Sequence, residues 1–133
     1  MKCGALDIIE SINSSGRKNV LTVSGNSSTS SVNYTVISVD NIIFEGTDAV
    51  GTPKEITFVC FTNNGINGGS VKIIDKTNGD NLICEINDII STDIVNLAIT
   101  NVLANLPTGK ALLQVQHKAG IGETFRTRGV SIL

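Results

Sequence analysis

From Val32 onward, short apolar runs alternate with turn-forming residues, the spacing of an all-β chain. Tyr34–Val39 and Asn41–Glu45 are two brief β-rich runs. Between Glu55 and Thr62, Ile56, Phe58 and Cys60 share one parity while Val59 and Phe61 hold the other. Apolar residues on both faces predict a central strand that is covered twice. Val71–Thr77 and Asp80–Ile86 are β-rich runs around Asn78-Gly79, the preferred two-residue hairpin turn because both residues tolerate positive φ. The loops at 46–53 and 63–69 are rich in Gly, Asn, Thr, Asp and Pro.

Residues 92–106 support two patterns. Val95, Ala98, Ile99, Val102, Leu103 and Leu106 make a helical stripe, whereas Val95, Leu97 and Ile99 alternate as in a strand. The β-branched and Asn content favours the strand, since these residues form helices poorly. Pro107-Thr108-Gly109 then turns the chain. Ala111–Lys118 and Thr124–Leu133 read as a last antiparallel pair, with Gly129 as a bulge that restores the phase.

The N-terminal third is different. Leu6, Ile8, Ile9 and Ile12, then Val20–Val23, form a short block, followed by the polar tract 25–31, whose Gly, Ser, Thr and Asn suit a linker. This predicts an arm or attachment segment over 1–31 and a β-sandwich domain over 32–133. The expected fold is all-β: an antiparallel β-sandwich, jelly-roll-like, of about eight strands. The buried set should include Ile56, Phe58, Ile73, Leu82, Cys84, Leu113 and Val115.

Composition narrows the chemistry. The 133 residues carry 41% hydrophobic side chains, enough for a packed core without staples. A net charge of -2 gives no reason to expect nucleic acid or an anionic membrane as partner. Asp7 and Glu10 interrupt the stretch where a signal peptide would be apolar, and no run is long enough to span a membrane. Cys3, Cys60 and Cys84 are too few for a disulfide framework; Cys60 and Cys84 read as buried thiols, with a bridge between them left open. Three Asn-x-Ser/Thr triplets, at Asn13, Asn26 and Asn33, read as chance in an Asn/Ser-rich chain.

No constellation for catalysis stands out. His117, the single histidine, falls at the end of a strand and reads as a rim residue rather than a general base. No nucleophile elbow, P-loop, dinucleotide fingerprint or zinc spacing is present, and the residues after Asp75 fail the calcium-loop order. Neither a cofactor nor a metal is expected, and the chain is not expected to be an enzyme. Lys110, Lys118, Arg126 and Arg128 cluster in sequence near the end and form a candidate contact patch for an acidic partner or a neighbouring subunit, unless they only solvate a strand face. There is no Trp, one Tyr and four Phe. With Phe44, Phe58 and Phe61 assigned to the core, Tyr34 is left as an aromatic platform for stacking.

Leu106–Gln116 together with Gly122 and Arg128–Leu133 resembles the closing hairpin of small β-sandwich bacteriophage virion proteins, such as head-decoration and fibre or tail accessory proteins. That resemblance implies a non-catalytic virion component, assembled in the host cytoplasm. Its partners would be other virion proteins or copies of itself, most simply in a trimer. The alternative is a carbohydrate-binding or adhesion module, with surface glycans as partner.

Overall fold

The computed structural model describes residues 20–37 and 41–133. The expected attachment segment up to Asn19, with Cys3 and Asn13, lies outside the described residues, as do Ser38 and Val39. The described chain forms nine strands: β1 (Leu21–Thr29), β2 (Thr35–Val36), β3 (Ile42–Phe44), β4 (Glu55–Thr62), β5 (Gly69–Asp75), β6 (Asn81–Ile89), β7 (Val95–Thr100), β8 (Ala111–Ala119) and β9 (Phe125–Ile132). One helical turn, α1 (Thr47–Val50), interrupts the loop after β3, and a 3-10 turn (Leu103–Asn105) follows β7.

Two antiparallel sheets face each other. One has the order β1-β9-β4-β7; the other has β2-β8-β5-β6, with β3 pairing β8 beyond β2. The facing sides are Ile, Val, Leu and Phe at alternate positions, so each strand buries one parity. Phe44, Phe58 and Phe125 are fully enclosed, with Ile56, Val71, Ile73, Leu113, Val115 and Ile132 around them. The chain is therefore an all-β antiparallel sandwich of the jelly-roll class, as its alternation predicts.

Several local expectations need correction. The polar tract 25–31 is not a linker over most of its length: β1 runs through it, paired with β9 from Leu21↔Ile132 to Thr29↔Phe125. Ser and Thr there satisfy the ladder through the backbone, and the pairing overrides a loop-like composition. The last two strands do not form a hairpin. β8 and β9 lie in opposite sheets, and 120–124 is an arch between them. Among the described residues, only β5 and β6 are both consecutive strands and paired in one sheet, which is where the Asn-Gly signal falls. Even there the loop spans five residues, because the ladder closes at Asp75↔Asn81. Positive φ falls on Gly79 (φ 72) and Asp80 (φ 60), one step later than a two-residue turn requires.

Two pairing irregularities in β6 matter most. Ile73 pairs Cys84 while Ile74 pairs Leu82, so Ile83 is an extra residue. The bulge puts Ile83 and Cys84 into the core and turns Leu82, expected there, outward to 48% exposure. Residues 95–100 are a strand, with Val95, Leu97 and Ile99 inward, as preferred over the helix. Gly129 sits at a register shift between β9 and β4, as its bulge role requires.

Candidate functional site

The second β6 bulge builds the most functional-looking surface. Gly69 pairs Ile89 but Val71 pairs Ile86, so β6 carries one more residue than β5. Asp88 absorbs the excess with φ 57, a left-handed conformation that Asp tolerates better than most residues. Bulges of this kind re-aim side chains out of the alternating pattern. Asn87 and Asp88 thus meet Asn67 from the β4–β5 loop, Ser70 of β5 and Lys118 of β8 around a cleft of about 420 Å³. Val32 and Ile121, from the β1–β2 and β8–β9 loops, line its apolar side.

Tyr34 joins this cleft to the outer face of the β2-β8-β5-β6 sheet. Its hydroxyl donates to Glu85 Oε2 at 2.5 Å, and Lys72 Nζ and Lys118 Nζ lie 4.1 and 4.8 Å from its ring centroid. Cations at this range are attracted to the ring's negative face. Burial, then the hydrogen bond to Glu85, raises the phenol well above its ordinary value, so it stays a neutral donor. Lys118 is shared: it touches the Tyr34 ring and lines the cleft.

The arches hold Asn67 and Ile121 at the edge of the cleft. Glu123, buried in the β8–β9 arch, accepts hydrogen bonds from Thr62 Oγ1 (2.6 Å) and from the backbone N–H groups of Asn64, Gly65, Ile66 and Asn67. The side-chain amides of Asn64 and Asn67 return hydrogen bonds to Gly122 O and Ile121 O, each at 2.7 Å. The Thr62 hydrogen bond, aided by the backbone donors against a desolvation cost, holds the Glu123 carboxyl down at about 2. It is a structural clasp with every acceptor direction engaged.

A second cleft of about 470 Å³ lies at the other end, lined by Asp75, Asn78, Asn81, Asn105 and Lys110 among others. Its size is similar, but its carboxylate is occupied. Asp75 accepts from Thr77 N, Asn78 N and Asn78 Nδ2 and so closes the hairpin turn. Near Tyr34, among the described residues, no hydrogen bond engages the side chain of Asn87 or Asp88, which makes that cleft the better candidate.

The four cations of the candidate contact patch are not brought together. Lys118 is on the outer face of one sheet and Arg126 and Arg128 are on that of the other, while Lys110 precedes β8 at the far end. Arg126 and Arg128 do share a face, and Arg128 Cζ lies 5.3 Å from the Phe61 ring. Phe61, expected in the core, is half-buried on that outer face beneath it. His117 is not a rim residue. It is 1% exposed, with Nδ1 2.8 Å from Thr127 Oγ1 and its ring edge-on to Phe125. Burial pushes it down to about 4, so it is a neutral core residue. The parity shared with Leu113 and Val115 was the true signal. Cys60 and Cys84 are free buried thiols, pushed up by burial to about 11 and 12, and hence unreactive.

Among the described residues, no group of three His, Cys, Asp or Glu side chains is placed to hold a metal ion, and no helix is long and apolar enough to cross a membrane. Asn87-Asp88 was missed in the sequence, although a polar pair breaking the run from Leu82 to Ile90 was its trace.

No protein-family model and no curated protein sequence matches the chain. Solved structures do share its fold. A family 6 carbohydrate-binding module from Clostridium cellulolyticum, in complex with xylose, is 15% identical and has a TM-score of 0.53, covering 92% of this chain and 83% of that one. A CBM36 module, in complex with calcium and xylotriose, is 9% identical with a TM-score of 0.53, covering 86% of this chain and 100% of that one. A module of Cellvibrio mixtus lichenase 5A, in complex with cellotriose, is 12% identical with a TM-score of 0.50, covering 86% and 96%. The chain has the β-sandwich fold of carbohydrate-binding modules. The sandwich implied by the resemblance to phage proteins is present, but a virion role gains no support from these likenesses.

Proposed function

We propose that this chain is a non-catalytic binding protein that holds a saccharide in the cleft beside Tyr34. The observation that carries this reading is the Asp88 bulge, which gathers Asn87, Asp88, Asn67, Ser70 and Lys118 from separate strands and loops around one opening. Amides, a hydroxyl, a carboxylate and an ammonium supply both donors and acceptors, as a ring of sugar hydroxyls requires. Val32 and Ile121 offer apolar surface to the C–H faces of the sugar. The fold shared with carbohydrate-binding modules supports the same reading.

A glycan array followed by calorimetry tests it. The protein should retain at least one saccharide class and leave it chemically intact. Asn87→Ala and Lys118→Met should each weaken binding about tenfold, the loss of one hydrogen bond to the ligand. Absence of binding across the array, or affinities unchanged in both variants, would overturn the proposal.

A further inference from the structure

The sandwich end that holds the cleft is unusually aliphatic. Among the described residues ten large hydrophobic side chains are exposed, and five of them lie on the loops of this one end: Val32, Ile66, Ile90, Ile94 and Ile121. Ile66 and Ile121 are the most exposed of all, at 79% each. The five come from all four loops that cross between sheets here, β1–β2, β4–β5, β6–β7 and β8–β9. Singly scattered apolar residues need no explanation, but a group on one end does.

The loops form one platform. Ala119 N donates to Ser31 O, Gly120 N to Gly68 O and Thr62 N to Ser91 O. Gly68, with φ 62, packs so closely under Ile90 that a Cβ there would come within 3.1 Å of the Ile90 Cγ2 methyl. Val20 and Leu133 are at the opposite end, beside Ile132 and Glu55.

We infer that this end rests on an uncharged lipid surface, with the aliphatic tips in the apolar boundary and the cleft facing sugar headgroups. For the headgroup this rests on the saccharide reading above; the tips are a separate observation. Two features select lipid over a protein partner or a free polysaccharide, and a third selects an uncharged lipid. First, the tips are aliphatic rather than aromatic. Planar rings suit the faces of sugars and anchor protein interfaces, whereas branched alkyl groups suit acyl chains. Secondly, backbone groups entering an apolar phase need internal partners. Glu123 accepts from four consecutive N–H groups beneath the Ile66 tip, and Asn67 Nδ2 donates to the Ile121 carbonyl. Thirdly, Asp88 and Asp93 stand beside the tips and the net charge is -2, so an uncharged surface is preferred to an anionic one. The charge argument against an anionic membrane therefore does not bear on this contact.

Co-sedimentation with vesicles tests the inference, using phosphatidylcholine alone, phosphatidylcholine with digalactosyl diacylglycerol, and phosphatidylcholine with phosphatidylserine. The first two should pellet the protein and the third should do so less well. Ile66→Asp and Ile121→Asp, both at solvent-exposed positions, should weaken vesicle binding at least about tenfold, since a carboxylate is excluded from the apolar boundary. Ile66→Asp, which lies outside the lining of the cleft, should keep the wild-type affinity for soluble saccharide. An Ile121→Trp reporter should shift its emission to the blue on the first two vesicles. Failure to bind either uncharged vesicle, or binding that both Asp variants leave intact, would overturn the inference. A dimer abolished by the same substitutions would assign the tips to a second copy instead and overturn it equally. Vesicle binding without any saccharide binding would uphold the lipid contact and reject the saccharide reading, whereas saccharide binding without vesicle binding would do the reverse.

Discussion

Thr62 Oγ1 donates a 2.6 Å hydrogen bond to Glu123 Oε1, and this contact joins the arch after β4 to the arch after β8. The same carboxylate gathers four backbone N–H groups, so the shape of the cleft depends on its charge. Its folded value, about 2, lies below the ordinary value of 4.5. The stabilisation is complete above the ordinary value and is lost as pH falls from there towards the folded one. Glu123→Gln should therefore lower the urea midpoint at about pH 7, and its gap to wild type should narrow at about pH 3. An equal gap at both values would show that the charge is not what holds the arches.

His117 gives an earlier pH window. Its folded value of about 4 lies below the ordinary 6.5, so the unfolded chain takes up the proton first as pH falls. Stability is full above 6.5 and decreases by about 3 kcal/mol on the way to 4. His117→Gln has no titrating ring, and its denaturation midpoint should stay flat between about pH 7 and pH 5, where wild type falls. Parallel curves for the two proteins would contradict the buried neutral assignment.

Phe58 tests the core. It is fully enclosed between the sheets, and Phe58→Ala should cost about 3–5 kcal/mol in urea melts. A loss below about 1 kcal/mol would mean that the sheets do not pack around this ring.

The sandwich was legible in the alternation of Ile56, Phe58 and Cys60 and of Leu113 and Val115, because period two records burial directly. Strand partners were less so. Alternation is the same whether two successive strands pair side by side or face each other across the core, so β8 and β9 read as a hairpin although they lie in opposite sheets. The cleft was hidden for a related reason. Its residues come from Val32 to Ile121, and Asn87 and Asp88 reach it through a bulge that leaves only a polar interruption in the sequence. The contact-patch cations show the converse: proximity in sequence near the C-terminus does not put Lys118 and Arg126 on one face.

Gly79 isolates a backbone effect. Its φ is 72, and a side chain there would meet nothing within 4 Å. Gly79→Val should therefore destabilise by about 1–2 kcal/mol through conformation alone, and Gly79→Asn by less, since Asn tolerates the left-handed region. Equal midpoints for wild type and Gly79→Val in urea would reject this turn geometry.

Saccharide binding at the Tyr34 cleft is best tested by following backbone amide chemical shifts during titration with a saccharide selected on a glycan array. The expected result is saturable shifts centred on Asn67, Ser70, Asn87, Asp88 and Lys118, the lining of one cleft. Shifts centred instead on Arg126 and Arg128, or on the Asp75–Lys110 cleft at the far end, would contradict it, as would a spectrum that no saccharide changes.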